Sequence, residues 1–197
     1  MISQLGEKLA TMLVFSDVIA SDDIELYSYG FFLILSKCLY LIVAVVLGII
    51  FHVLWESITF YVLFSTLREY TGGIHAETEA KCIVSSILML FVSISGISYM
   101  SKMSHRLEAF ILLIVGCVAI FLLAPKDSLN RQLSANEKRH YQCLSRYLTI
   151  VYVTLSILTA CICDKIFYTV TMVIYMVGVL LVADVIFSKI KRQTGID

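Results

Sequence analysis

The segment Cys82-Ile-Val-Ser-Ser-Ile-Leu-Met-Leu-Phe-Val-Ser-Ile-Ser-Gly-Ile-Ser-Tyr-Met100 runs for 19 residues without a charged side chain. A helix of about 17–25 apolar residues crosses the roughly 30 Å hydrocarbon core of a bilayer. Lipid admits only helices or closed barrels, because every backbone polar group must be satisfied internally. The apolar residues run continuously and do not alternate, which disfavours a barrel. We therefore predict that this segment is a membrane helix.

Five further apolar segments surround it along the chain. They are Gly30–Ile50 with Lys37, His52–Leu67 with Glu56, Leu107–Ala124 with Glu108, uncharged Tyr147–Cys163, and Ile166–Phe187 with Asp184. The second is short and follows the first almost directly, so a re-entrant pair meeting near residues 52–56 is an alternative to two crossings. The pattern predicts an all-α integral membrane protein with about six transmembrane or re-entrant helices.

The composition agrees with lipid as the solvent. Of the 197 residues, 59% are hydrophobic and 15% charged, and the mean hydropathy is +0.90. An ordinary soluble domain has roughly 45–50% apolar and about 25% charged residues. The values exclude a soluble globule, which would expose too much apolar surface, and also intrinsic disorder. Fifteen Lys and Arg balance fifteen Asp and Glu, so the net charge indicates no nucleic-acid partner.

The N-terminus predicts an amphipathic helix over residues 1–20 that lies in the membrane interface. Ile2, Leu5, Leu9 and Met12 recur at helical spacing, and polar residues fill the opposite side. Acidic and basic residues are mixed from the start, and no small-residue cleavage site ends a short apolar run. We therefore expect no cleavable signal peptide.

The segments predict a single membrane domain over residues 1–197. Its parts are the amphipathic helix 1–20, a first helical pair 30–67, a polar loop 68–81, a second pair 82–124, a basic loop 125–146, a third pair 147–188 and a basic tail 189–197. Loop Lys and Arg favour the cytoplasmic side. We therefore place the basic loop and the tail in the cytoplasm, together with the N-terminus and the polar loop.

The cysteines and histidines indicate no metal site. The six cysteines, Cys38, Cys82, Cys117, Cys143, Cys161 and Cys163, contain no CxxC pair. A disulfide framework and a zinc site are therefore not expected. The histidines at positions 52, 105 and 140 lack a second ligand at metal spacing. We predict reduced thiols, no metal and no cofactor.

One stretch interrupts the apolar pattern: Arg68-Glu69-Tyr70-Thr71-Gly72-Gly73-Ile74-His75-Ala76-Glu77-Thr78-Glu79-Ala80-Lys81-Cys82. Because Cys82 begins an uncharged span, its thiol is expected at a helix N-terminus near water, where the helix dipole and a neighbouring imidazolium favour the thiolate. His75 is the candidate base that takes the thiol proton and later protonates a leaving amine.

The spacing of the two residues requires a bend in the chain. Seven residues on an unbroken helix separate His75 from Cys82 by about 10.5 Å of rise. Gly72 and Gly73 have access to positive φ, so a bend is cheapest there, and their N–H groups are candidate donors to an oxyanion. A structural explanation remains open, because a Cys in a membrane helix is usually a packing residue and a Gly-Gly pair usually only a turn.

The stretch 68–82 fits the pattern RxxxGGxHAxxxxxC and resembles the accessory gene regulator B family (AgrB). These are membrane cysteine endopeptidases that process autoinducing peptide precursors in Gram-positive quorum sensing. Tyr29-Gly30 is similar to the family's Tyr-Gly pair. Ala124-Pro125-Lys126-Asp127 with Asn130-Arg131 is similar to its Ala-Pro loop and the basic stretch that follows.

The resemblance implies a role for each matching residue. It makes Cys82 the nucleophile and His75 the general base, while Arg68 and Gly73 match positions needed for activity. It also implies that a short propeptide is cut through an enzyme thioester, which an internal Cys or Ser of the peptide then attacks to close a thiolactone or lactone ring. Shielding the acyl-enzyme from water favours cyclisation over hydrolysis. The sequence identifies no third catalytic residue.

The resemblance further implies the partners. The propeptide has an amphipathic N-terminus, which binds the lipid bilayer, and an acidic C-terminal tail. Four basic residues are candidates to bind that tail: Lys126, Arg131, Lys138 and Arg139. An ordinary positive-inside loop is the alternative explanation for them. A homodimer is implied by the family alone.

Three ionisable residues, Lys37, Glu56 and Asp184, lie in or near the apolar segments, where such groups are costly and often functional. The alternative function is therefore a non-catalytic transport or sensor subunit in which they line a polar path. That function predicts midplane polar groups that face one another, whereas a protease predicts His75 beside Cys82 at the cytoplasmic edge. Glu56 and Asp184 lie near segment ends, where their side chains are able to snorkel toward the interface, so for these two we favour a structural role.

Overall fold

The computed structural model of the protein describes residues 2–72, 78–126 and 135–194. This part of the chain contains α1 (Ile2–Phe15), α2 (Ile24–Ile50), α3 (Leu54–Thr71), α4 (Glu79–Met103), α5 (Arg106–Leu123), α6 (Ala135–Thr159) and α7 (Asp164–Thr194), with a short 3-10 turn at Ser21–Asp23. It contains no β-strand. The predicted all-α fold class is therefore confirmed.

Among the described helices, four are long and apolar enough to cross a membrane, which supports a membrane location. The segments are Ser21–Ile50, Glu79–Met103, Arg106–Leu123 and Asp164–Ile190. The other two apolar segments that we predicted are also helical, in α3 and α6, and both helices are long enough, but they are not apolar enough to be included. The reason is that α3 carries charged residues at both ends and α6 begins with a charged stretch.

The helix ends differ from the ends of the predicted apolar segments. An apolar run shows which residues suit lipid, whereas a helix ends at its last backbone hydrogen bond. The predicted basic loop 125–146 is helical from Ala135 onward, and the predicted tail continues α7 to Thr194. Likewise, α3 extends to Thr71 and α4 begins at Glu79. The polar loop is therefore shorter than the predicted 68–81.

Residues 1–43 form one compact unit, in which α1 packs on the start of α2. The buried residues of α1 are Gly6 and Ala10, and a Cβ on Gly6 would lie 2.9 Å from the carbonyl oxygen of Ser28. Two of the predicted apolar positions, Leu5 and Met12, remain exposed. The N-terminal helix thus packs through its small residues and leaves larger apolar side chains for lipid.

Residues 44–197 form the second unit, which is built around α7. The middle of α7 is buried on all sides, as expected for a helix at the centre of a bundle; its buried residues include Val170, Val173, Ile174, Val177 and Leu181. α5 approaches α7 closely where Gly116 meets Gly178, and a Cβ on Gly116 would lie 2.7 Å from the carbonyl oxygen of Ile174. Small residues allow such contact between membrane helices.

The second unit has two polar ends, which α7 connects. At what we call the Asp164 end, Asp164 pairs with Arg106 of α5 at 2.6 Å, and Lys165 pairs with Glu56 of α3 at 3.4 Å. The other polar end we call the Cys82 end. There Lys126, after α5, pairs with Asp184 of α7 and bridges to Gly72 after α3, while the charges of Asp184 and of Cys82 in α4 act on Arg68 of α3.

Candidate functional site

Cys82 lies in the first turn of α4. Thr78 is the N-cap in an extended conformation, and its side chain accepts a hydrogen bond from the backbone N–H of Lys81 at 3.3 Å. The backbone N–H of Cys82 donates to the carbonyl oxygen of Thr78 at 3.0 Å, and the side chain of Cys82 is partly buried. The predicted position near a helix N-terminus is found, so the partial positive charge of that terminus acts on this turn.

Gly72 is the C-cap of α3. Its backbone has φ +69° and ψ −154°, and its N–H donates to the carbonyl oxygen of Arg68 at 3.2 Å. This positive φ is the conformation for which we expected a glycine. A Cβ at this position would also collide with the carbonyl oxygen of Lys126. Both the backbone angle and the close contact therefore require a glycine.

Arg68 lies in the last turn of α3, just beyond the apolar segment that ends at Leu67. Its Nη1 donates a hydrogen bond to the carbonyl oxygen of Gly72 at 2.8 Å. Burial lowers the pKa of the guanidinium, while the negative charges of Asp184 and of a Cys82 thiolate raise the pKa. Arginine keeps its proton under all physiological conditions. A permanent positive charge therefore lies within electrostatic range of Cys82.

The segment after α5 runs beside the end of α3. The backbone N–H of Lys126 donates to the carbonyl oxygen of Thr71 at 3.0 Å, and Lys126 and Gly72 form an isolated parallel β-bridge. The Ala-Pro-Lys segment that the family resemblance singled out is thus in direct contact with the glycine of the polar loop.

Asp184 is the site residue that the sequence did not predict. Its side chain is only 19% exposed, and its Oδ2 lies 3.7 Å from Nζ of Lys126. Lys126 comes to it from the segment after α5, near the end of the apolar segment in which Asp184 lies. The sequence signal was a carboxylate inside a long apolar run, but that signal does not name the partner.

Three of the predicted site residues cannot be placed. Gly73, His75 and Arg131 lie outside the described residues, so their positions relative to Cys82 remain predictions.

Two of the predicted tail-binding residues lie in one groove. Lys138 and Arg139, near the start of α6, line an open groove of about 440 Å³ together with Pro125, Gln142 and the last residues of α5. Lys126, in contrast, is engaged by Asp184.

The structure does not bring together Glu56 and Asp184, two residues of the predicted polar path. Glu56 is 13% exposed and pairs with Lys165 at 3.4 Å. Lys165 and Asp184 lie 19 residues apart on α7, which corresponds to about 28 Å of helix rise. The two carboxylates therefore lie at opposite ends of the bundle and do not face each other, which weakens the transport alternative.

The described residues contain no group of three His, Cys, Asp or Glu side chains arranged to hold a metal ion. All six cysteines lie in this part of the chain as free thiols.

Comparison with known proteins agrees with the sequence pattern. The chain matches the family model described as accessory gene regulator B over residues 6–187. It is 30% identical over 122 residues to "Putative AgrB-like protein 2" of Clostridium perfringens (strain 13 / Type A) and 28% identical over 122 residues to "Putative AgrB-like protein" of Clostridium perfringens (strain SM101 / Type A). Each alignment covers 58% of the chain and 56% of the relative, so the chain spans about half the length of the curated relatives it matches. No solved structure matches the chain.

Proposed function

The chain belongs to the accessory gene regulator B family, and from this premise we propose that it is a membrane cysteine endopeptidase that processes a quorum-sensing propeptide. Family membership indicates a role in such processing. The finer proposal is that Cys82 cleaves off the C-terminal tail of the propeptide and retains the rest as a thioester, which an internal Cys or Ser of the peptide converts to a ring.

The proposed chemistry is acyl transfer in two steps. The sulfur of Cys82 attacks the scissile carbonyl carbon, a C–S bond replaces the C–N bond, and His75 moves the thiol proton to the leaving amine. The internal nucleophile of the peptide then attacks the thioester carbonyl, its proton returns through His75, and the thiol of Cys82 is restored. A thioester lies uphill from a peptide bond, so removal of the products must pull the reaction forward.

The position of Cys82 carries this proposal. It lies in the first turn of a helix, within electrostatic range of a permanent cation, at the end of the bundle where the polar loop begins. The assignment of His75 rests on the family pattern and on its place in the sequence between Gly72 and Thr78.

The groove beside Pro125 supports a site for the acidic tail. Lys138 and Arg139 present two cations there, and opposite charge favours both encounter and register. We expect Lys138→Gln with Arg139→Gln to raise KM about tenfold and to reduce its dependence on salt, with kcat little changed. An unchanged KM would assign these residues to the positive-inside pattern instead.

Sidedness and assembly complete the proposal. We place the Cys82 end, both termini and the α6 cations in the cytoplasm, following the distribution of Lys and Arg. We also propose a homodimer, as the family implies. Labelling of single-cysteine variants in intact cells and in inverted vesicles tests the first statement, and mass measurement of the protein in nanodiscs tests the second.

The central experiment is mass spectrometry of a propeptide incubated with the protein in liposomes. The propeptide is taken from a neighbouring open reading frame. We expect the wild type to release the C-terminal tail and to yield a cyclic N-terminal fragment, and expect Cys82→Ala and His75→Ala to lose both products.

The chain offers a matched control for this experiment. Cys163, also partly buried, lies directly before α7 at the opposite end of the bundle, so Cys163→Ala is expected to cleave at the wild-type rate. Cleavage that survives Cys82→Ala would overturn the mechanism. Equal losses in Cys82→Ala and Cys163→Ala would show that thiol replacement acts through stability.

A further inference from the structure

Asp184 pairs with one cation of the Cys82 end, Lys126, and acts electrostatically on a second, Arg68. Its Oδ2 lies 3.7 Å from Nζ of Lys126, and its charge acts on the guanidinium of Arg68. With 19% of its side chain exposed, Asp184 is shielded from most of the solvent screening that weakens surface ion pairs.

Both cations are also attached to the same short piece of backbone. Arg68 donates through Nη1 to the carbonyl oxygen of Gly72 at 2.8 Å. Lys126 donates through its backbone N–H to the carbonyl oxygen of Thr71 at 3.0 Å. Thr71 and Gly72 are the last described residues before the loop that carries His75.

We propose that Asp184 is a positioning residue that holds Arg68 and Lys126 against the Thr71–Gly72 backbone and thereby sets where the chain leaves toward His75. The proposal rests on the proposed function of His75 and Cys82, and Asp184 itself touches no reacting atom in it. Without the carboxylate, two like charges share one weakly screened site and repel each other, so the Lys126 segment separates from Gly72.

The opposite end of α7 shows why this role is specific to Asp184. Asp164 also pairs with an arginine, but Arg106 is the first residue of α5. That pair joins two helix starts and holds no backbone of the polar loop. Asp164→Asn is therefore the matched control, since it makes the same chemical change in the same helix.

The first test measures kcat and KM for tail release with Asp184→Asn, Asp184→Glu and Asp164→Asn in liposomes. We expect Asp184→Asn to lower kcat at least tenfold with KM within twofold of the wild type. Asp184→Glu, which keeps the charge, should recover most of kcat, and Asp164→Asn should match the wild type. A kcat loss that follows the folded fraction, or that Asp184→Glu does not relieve, would assign Asp184 to stability alone.

A second test needs no catalysis. Hydrogen exchange followed by mass spectrometry reports the amide of Lys126, whose N–H is bonded to Thr71. We expect this amide to exchange about tenfold faster in Asp184→Asn and at the wild-type rate in Asp164→Asn. Unchanged exchange in Asp184→Asn overturns the proposal.

The two tests separate the two proposals. If no propeptide is cleaved by the wild type, the proposed function fails, and the exchange measurement still decides whether Asp184 holds the Lys126 segment on Gly72. If the wild type cleaves and both readouts of Asp184→Asn stay unchanged, only the positioning role fails.

Discussion

The two ends of α7 carry similar ion pairs in different surroundings. At the Asp164 end, the carboxylate lies 2.6 Å from Arg106, with the two side chains 38% and 56% exposed. At the Cys82 end, Asp184 lies 3.7 Å from Lys126, with 19% and 31% exposed. The shorter pair is the more strongly screened one. Distance alone therefore does not rank these pairs, and the longer pair is the one attached to the backbone of the polar loop.

Each end also contains a residue with positive φ. At the Cys82 end Gly72 has φ +69° and lies against the carbonyl oxygen of Lys126. At the Asp164 end Ser104, the C-cap of α4, has φ +55°, and His52, just before α3, has φ +59°. A serine tolerates the left-handed conformation at some cost, whereas the Gly72 position leaves no room for any side chain. The Cys82 end is thus the more tightly constrained of the two.

The largest effect is expected from Gly72→Ala. The methyl group meets both an unfavourable φ and the backbone of Lys126, so the protein should lose about 1–3 kcal/mol of stability, and tail release should fall more than tenfold. Thermal unfolding in detergent, followed by the fluorescence of Trp55, and propeptide cleavage measure the two effects. Ser104→Ala is the control at the other end, and its stability should stay within about 0.5 kcal/mol of the wild type. An active and stable Gly72→Ala would show that Lys126 does not lie against this residue.

The next effect concerns the two arginines. Arg68→Gln removes a charged hydrogen bond to Gly72, which is worth about 1.5–3 kcal/mol, so we expect about a 10- to 100-fold loss of kcat/KM. Arg106→Gln removes the exposed pair with Asp164 and should leave kcat/KM unchanged. Steady-state cleavage rates of both variants test this difference. Equal losses of kcat/KM would mean that the two ends do not differ in function.

A smaller effect is expected at Glu56. Glu56→Gln removes the pairing with Lys165, whose ammonium is exposed enough to be hydrated by water, so the loss of stability should be about 1 kcal/mol. Cleavage should be unaffected, because this pair belongs to the Asp164 end. A loss of cleavage without a loss of stability would revive the polar path through the bundle.

The smallest effect is a gain. Ser104→Gly removes the steric cost of the left-handed conformation at the C-cap of α4, but glycine also makes the unfolded chain more flexible. We expect a net gain of about 0.5 kcal/mol in the free energy of unfolding. Thermal unfolding of Ser104→Gly and of the wild type in the same detergent measures this gain. A loss of stability would mean that the serine side chain contributes more than its backbone costs.

The sequence predicted the helices and the place of Cys82 because both follow from local rules. Uncharged runs long enough for a bilayer mark helices, and the polar turn before Cys82 marks a helix start. The predicted ends were less accurate, since hydropathy does not report capping by Thr78 or the helical charged stretch after Ala135.

The pairing of Asp184 with Lys126 could not be predicted from local sequence rules. The two residues are 58 positions apart, and the contact depends on α5 lying against α7 through Gly116 and Gly178. A single sequence shows that a carboxylate within an apolar helix is costly, but it does not show which cation will compensate it.

α3 connects the two polar ends of the bundle with a short length of helix. Glu56 and Arg68 are 12 residues apart, which is about 18 Å of rise, while Asp164 and Asp184 on α7 are 20 residues apart, about 30 Å and close to the hydrocarbon thickness. The polar residues of α3 are therefore closer together along the membrane normal than those of α7. We expect the bilayer to be thinner beside α3 than beside α7, so the acyl-chain length of the host lipids should influence the Cys82 end.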